Sequence, residues 1–164
     1  MEAMRANIVI GICSIALMGA GSACSRSTYT SKDGSVTVEK KGSDGSSMTF
    51  TGKDGQKVEI NPNGGKMPDN YPKDMPVYDG SKVVMSTVVS EKNAKNLILE
   101  SPDSAEKIAD FYKKGLESNG WKVEGTVATP QMTMFSGTKE NRQAMVQIME
   151  GSGKRTINQV LNDK

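Results

Sequence analysis

The chain has 164 residues and mixes 21 lysines and arginines with 19 aspartates and glutamates, but it contains no histidine. Without histidine the commonest general base and zinc ligand is missing, which excludes Ser/His/Asp and Cys/His nucleophilic catalysis and predicts no metal or cofactor. The charges are evenly spread, with a net charge of +2, so the chain offers no basic stripe and we expect no nucleic-acid partner.

An apolar run over residues 8–20 precedes Gly21-Ser22-Ala23-Cys24; it is short for a bilayer span and fits the core of a secretory signal. The small residues before Cys24 resemble a bacterial lipobox, with Gly21 where that motif usually has an aliphatic residue. The resemblance implies a lipoprotein signal peptide over residues 1–23 and a lipid anchor on Cys24. Ser25 then implies the outer membrane, facing the periplasm, in a Gram-negative host. Two alternatives are a secreted protein with a free Cys24 thiol and a transmembrane anchor.

Residues 24–33 are mostly small and polar, which predicts a flexible tether. Three turn signals follow, at Asp33-Gly34, Asp44-Gly45 and Asp54-Gly55, and each precedes alternating apolar residues. Asp-Gly favours a hairpin because both residues tolerate the positive φ of tight turns. The pattern predicts a short β-meander of three strands over residues 34–60, with too few apolar residues to hold a core alone.

Residues 61–76 are rich in proline and glycine, with prolines at 68, 72 and 76, and we predict an extended linker. An alternative is that Met75, Val77 and Tyr78 dock on the domain that follows. We favour docking, because apolar side chains contribute nothing to a free linker.

Residues 77–164 are predicted to form one α+β domain. Strand-like patterns cover residues 83–89, 96–100, 121–127, 131–136, 143–150 and 156–161. Between the second and third strands, Ser101-Pro102-Asp103 predicts a helix start and Asn119-Gly120 predicts its end. The fold class is therefore α+β: a mostly antiparallel sheet of about six strands, with one long helix on one face, preceded by the short meander.

Phe111-Tyr112, Leu116 and Gly120-Trp121, after Pro76-Val77-Tyr78, resemble a C-terminal domain found in small, uncharacterised bacterial lipoproteins. The resemblance covers residues 72–161 and implies a fold and a cell-envelope location, but no activity. The order of strand, helix and several antiparallel strands is also similar to the helix-grip domains of lipoproteins that assist outer-membrane assembly machinery. This likeness implies an accessory subunit of such a complex as one alternative.

Methionines alternate along the predicted last strands, and they define a candidate binding surface. It comprises Met132, Met134, Met145, Gln147 and Met149, with Met85 as a further possible member. Three interpretations compete. The Pro-rich segment or the meander covers this surface as ordinary core, which the adaptable shape of methionine favours; the surface stays partly exposed and binds a partner, peptide or lipid; or its thioethers bind a soft metal such as Cu(I), although clustered methionine motifs are absent.

Ser104-Ala105-Glu106-Lys107 has the Ser-x-x-Lys spacing of penicillin-recognising enzymes, but no Ser-Asp-Asn or Lys-Thr-Gly triplet accompanies it. We interpret it as a first helical turn and predict no catalytic residue. The sequence thus predicts a non-enzymatic, lipid-anchored interaction module of the cell envelope, with the membrane and an envelope protein as partners. The alternatives are a lipoprotein that binds a small apolar molecule or lipid, and an accessory subunit of an outer-membrane assembly complex.

Overall fold

The structure is a computed structural model that describes residues 24–41, 46–62, 67–68 and 70–163. The predicted signal peptide, residues 1–23, lies outside the described residues, and so does the predicted turn at Asp44-Gly45. The described part of the chain holds no helix long and apolar enough to cross a membrane.

The described chain forms ten strands and one helix, joined mostly by short turns. The elements are β1 (Cys24–Ser31), β2 (Gly34–Lys41), β3 (Ser46–Gly52), β4 (Lys57–Pro62), β5 (Lys82–Val89), β6 (Ala94–Ser101), α1 (Ala105–Ser118), β7 (Lys122–Thr129), β8 (Met132–Lys139), β9 (Arg142–Glu150) and β10 (Arg155–Asp163). Every neighbouring pair is antiparallel, and the spatial order is β1-β2-β3-β4-β5-β6-β10-β9-β8-β7.

The predicted α+β fold, a six-stranded sheet with a long helix and a preceding short meander, is wrong. All ten strands form one continuous sheet, and the helix has only 14 residues. The two parts join because β4 pairs with β5, from Val58 opposite Val89 to Pro62 opposite Met85. This pairing satisfies backbone N–H and C=O groups that would otherwise remain unpaired along two open edges. Periodicity along the chain does not specify such non-local neighbours.

The first strand departs from the predicted tether. Residues 24–31 pair with β2 along their whole length, and Arg26 and Glu39 form an ion pair of 3.1 Å across the two strands. The β1–β2 turn requires Gly34, whose φ is +144° and whose position leaves no room for a Cβ, which would lie 2.3 Å from the Thr51 carbonyl oxygen. A polar sequence thus becomes an edge strand because its backbone finds a partner.

Helix α1 begins and ends at residues with capping geometry. Ser104 is the N-cap, and its side chain accepts a hydrogen bond from the Lys107 backbone N–H at 3.4 Å. Gly120, with φ +79°, follows the C-terminal end. Ile108, Tyr112 and Leu116, four residues apart, are buried as the helical spacing predicts.

One hydrophobic core lies between the helix and the sheet. It contains residues of β6, β8, β9, β10 and the helix, together with Met75, Tyr78 and Trp121. Residues 70–78, which lie between β4 and β5 and are here called the strap, therefore pack beside the helix. The predicted docking of Met75, Val77 and Tyr78 on the following domain is confirmed, since two are buried in the core and Val77 packs against it.

Candidate functional site

The sheet has two different faces. On the helix face, Ala144, Val146 and Ile148 of β9 are buried against the core. On the opposite side, here called the open face, the intervening residues of β9 are only partly buried. Neighbouring residues of a strand point to opposite faces, so burial of the first set directs the second away from the helix. Helix α1 and the strap both belong to the helix face and do not cover the open face.

The open face brings all five predicted surface residues together, here called the methionine face: Met132, Met134, Met145, Gln147 and Met149. Met132 lies opposite Met149, and Met134 lies opposite Gln147, on neighbouring strands β8 and β9. Each of the five is partly exposed. The described residues 67–68 and 70–76 of the Pro-rich segment pack on the other face, and the described strands of the meander continue the sheet sideways, so these parts of the chain do not cover the five residues as core.

Amide groups lie within the methionine face. The Gln147 Nε2 donates to the Met134 sulfur at 3.8 Å, and the Asn158 Nδ2 donates to the Gln147 Oε1 at 3.4 Å. The Asn158 Oδ1 is buried and accepts no hydrogen bond from the described residues. A buried acceptor without a hydrogen bond lowers the free energy of unfolding.

The open face extends well beyond the residues that sequence reasoning identified. One cross-strand row runs without a break from Val38 in β2 to Met145 in β9, through Met48, Ile60, Thr87, Asn96 and Val160. Residues that face each other across antiparallel strands lie on the same side of the sheet. The apolar residues of the meander and the methionine face therefore share one surface, a relation that required the strand order to be known.

An ion cluster, which the sequence analysis did not identify, fixes the strap to the β8–β9 turn. Both oxygens of Asp74 accept hydrogen bonds from Arg142, at 2.6 and 3.0 Å, and Lys139 Nζ lies 2.6 Å from Asp74 Oδ2. These hydrogen bonds lower the pKa of the Asp74 carboxyl. The Arg142 guanidinium lies 5.1 Å from the Trp121 ring centroid, and Trp121 Nε1 donates to the Asp74 carbonyl oxygen at 2.9 Å.

A buried polar network fills the interior between the strap, the helix and the sheet. Gln159 Nε2 donates to the Tyr112 hydroxyl at 2.6 Å and to the Pro76 carbonyl oxygen at 2.9 Å, and the Tyr71 hydroxyl donates to Gln159 Oε1. Burial raises the pKa of both tyrosines. These side chains satisfy one another's hydrogen bonds, so the network stabilises the strap against the helix and the sheet.

An apolar groove of about 590 Å³ runs between the strap and the helix. Its lining includes Tyr71, Pro72, Pro76, Phe111 and Gly115. The volume falls in the range of small-molecule sites, which are mostly apolar. Within the described residues, no group of three or more Cys, Asp or Glu side chains is placed to hold a metal ion.

Residues 83–155 match a family model described as START domain-like. The match spans β5 to β9 with the helix and reaches the first residue of β10. It agrees with the resemblance of the C-terminal region to an uncharacterised family, and it does not extend to the lipobox. Among proteins of curated function and among solved structures, none matches the chain.

Proposed function

We propose that this chain is a lipid-anchored, non-enzymatic interaction module of the cell envelope, and that its methionine face binds a partner protein. The observation that carries the proposal is the row of mostly apolar residues from Val38 to Met145, interrupted by Thr87 and Asn96, on a face that neither the helix nor the strap covers. Methionine side chains adapt their shape to a partner and are common on binding surfaces. The partly exposed amide of Gln147 supplies a polar group within that surface.

The size of the face suits a protein partner. The methionine face lies on β8 and β9, and β10, β6 and β5 continue the open face beside it. At a strand spacing of about 4.8 Å and a strand length of about 20 Å, these five strands present about 500 Å² on one side, apolar and polar residues together. An area of this size on one partner is typical of the smaller, transient protein interfaces.

The anchor part of the proposal depends on the lipobox resemblance at Cys24. A lipid on this residue would hold β1 at the membrane, because the strand begins at the same residue. The proposed location is the outer membrane, facing the periplasm, in a Gram-negative host. Metabolic labelling with a radioactive fatty acid tests the anchor: the wild type is expected to be labelled and the Cys24→Ser variant is not.

Site-specific photo-crosslinking in cells tests the partner. A photoreactive residue placed at Met132, Met145 or Met149 is expected to give one discrete adduct of the same mass, whereas the same residue at the exposed helix position Lys113 gives none. Adding Met134→Lys is expected to abolish the adduct. Absence of any adduct, or equal adducts from Lys113, would contradict the proposal. An adduct with a subunit of the outer-membrane assembly machinery would identify the chain as its accessory subunit.

A second candidate function is the binding of a small apolar ligand in the groove between strap and helix. The START domain-like match favours it, since domains of this kind often bind small hydrophobic ligands. Native mass spectrometry of protein purified without detergent tests it. A co-purifying small molecule would support this function, and ligand-free protein would contradict it.

A further inference from the structure

A second apolar patch lies at the other end of the sheet, far from the methionine face. Tyr29 of β1 lies opposite Val36 of β2, Val36 lies opposite Phe50 of β3, and Phe50 lies opposite Val58 of β4. These four residues, here called the aromatic corner, form one cross-strand row on the open face. Tyr29 is 68% exposed and Phe50 is 39% exposed, and a hollow of about 340 Å³ lies beside both rings.

The aromatic corner does not pack in the hydrophobic core of the described residues. None of its four residues belongs to the hydrophobic core or to the side chains packed against it. The reverse side of the same strands is polar, and the hydroxyls of Thr28 and Thr37 lie 3.1 Å apart there. The strands β1–β4 are therefore amphipathic, and their apolar side remains available for something outside the described chain. Exposed aromatic neighbours of this kind mark interaction sites more often than isolated apolar residues do.

We infer that the aromatic corner docks on the surface of a lipid bilayer. The position of the proposed anchor argues for this occupant. Strand β1 begins at Cys24, so no flexible segment separates the anchor from the sheet. Tyr29 lies five residues further along the same strand, or roughly 17 Å at about 3.3 Å per residue. An anchored chain therefore holds the corner close to the bilayer.

The chemistry of the corner also matches the bilayer interface. Tyrosine is enriched at membrane interfaces, because its ring is apolar and its hydroxyl remains hydrated. The flanking turns carry both signs of charge, and Lys53 pairs with Asp33 at 3.1 Å. Docking is therefore dominated by apolar burial, and it does not require anionic lipids.

This inference rests on the anchor part of the proposed function, and single-cysteine labelling separates the two. If the signal is removed and Cys24 is lipidated, the mature wild type has no free thiol, because the chain has only two cysteines and Cys13 lies in the signal. Labelling of the wild type by a thiol-reactive dye would show that the anchor has failed. Unlabelled wild type permits the second step.

In the second step, the full chain is produced with Tyr29→Cys or Phe50→Cys, reconstituted in phosphatidylcholine vesicles and labelled with an environment-sensitive dye. Thr28→Cys and Thr37→Cys are the matched controls, because they lie on the same strands and point to the opposite face. Lipids that carry a shallow quencher are expected to quench the dye at positions 29 and 50 about threefold more strongly than at the controls, since docked groups enter the headgroup region.

Equal quenching on the two faces would overturn the inference, and so would quenching that is strong only at the controls. A second copy of the chain is the rival occupant. It would give rapid oxidative dimers of Phe50→Cys without preferential quenching, and this result would also overturn docking on the bilayer. All four positions are partly or fully exposed, so the substitutions are expected to leave the fold intact.

Discussion

Replacing Asp74 by asparagine tests whether the ion cluster holds the strap. The substitution keeps the shape of the side chain but removes the charge that Lys139 and Arg142 share. Hydrogen bonds to charged groups contribute about 1.5–3 kcal/mol each, whereas exposed ion pairs contribute about 0.2–1 kcal/mol. The three side chains are about three-quarters buried, so we expect a loss of about 2 kcal/mol in the free energy of unfolding, discounted for screening. This corresponds to a melting temperature about 7 °C lower.

The pH dependence gives a second, sharper test of the same cluster. In the folded state, the pKa of the Asp74 carboxyl is lowered from its ordinary value of 3.8. Asp74 therefore contributes to the free energy of unfolding above pH 3.8, and this contribution is lost as the pH falls toward the pKa of the folded state. Urea unfolding, followed by the fluorescence of Trp121, reports the strap directly, because Trp121 is the only tryptophan and bonds to the Asp74 carbonyl oxygen. The difference between wild type and Asp74→Asn should shrink between pH 4 and pH 2.

Asp110→Asn is the matched control, because Asp110 is exposed on the helix. It is expected to change the unfolding midpoint little. The reasoning would be refuted if Asp74→Asn unfolded at the wild-type urea concentration at pH 7. It would also be refuted if the difference between the two proteins were the same at pH 2 as at pH 7.

Three further predictions concern the interior and the first turn. Gln159→Leu removes the donor to Tyr112 and to the Pro76 carbonyl oxygen, and urea unfolding should show a free energy of unfolding that is about 2–4 kcal/mol lower. An unchanged unfolding midpoint would show that the network does not stabilise the fold. The pKa of the buried Tyr112 is raised above 10.0, so stability should fall as the pH rises above 10, and ultraviolet titration should show delayed ionisation of the folded protein. Gly34→Ala places a Cβ against the Thr51 carbonyl oxygen of β3, and hydrogen exchange should speed up in β1, β2 and β3 but not in β8–β10; unaltered exchange in β1–β3 would show that the clash does not strain the turn.

The two faces of the sheet have different roles in the molecule. The helix face buries the core, the strap and the Gln159 network. The open face carries two apolar patches at opposite ends, and we propose a protein partner for one and a bilayer for the other. Because they lie on the same side of one sheet, a chain anchored at Cys24 could engage both at once, and variants of each patch should affect only their own partner.

Patterns among neighbouring residues predicted many of the individual strands and the helix. The alternation of apolar residues, the Ser104 capping region and the spacing of Ile108, Tyr112 and Leu116 follow from the geometry of strands and helices. The five surface residues from Met132 to Met149 share one face because neighbouring strands β8 and β9 form a short hairpin, whose register depends on adjacent residues. Local sequence predicts contacts of this kind well.

Contacts between distant residues could not be predicted in this way. Asp74 meets Lys139 and Arg142 across more than sixty residues, and no spacing rule relates them. The polar residues 24–31 carry little strand signal, and they form β1 because β2 offers an unpaired edge. The join of β4 to β5 merged the meander with the rest of the sheet for the same reason.

The order of amino acids was enough to give the composition limits, the resemblance to a lipobox, the strand and helix periods and the residues of the methionine face. The pairing of strands was needed to show that ten strands form one sheet, that the strap lies on the helix face and that the apolar residues of β2–β4 share a surface with Met145. Periodicity sets which side of its own strand a residue occupies, whereas hydrogen bonding between strand edges sets which strands share that side.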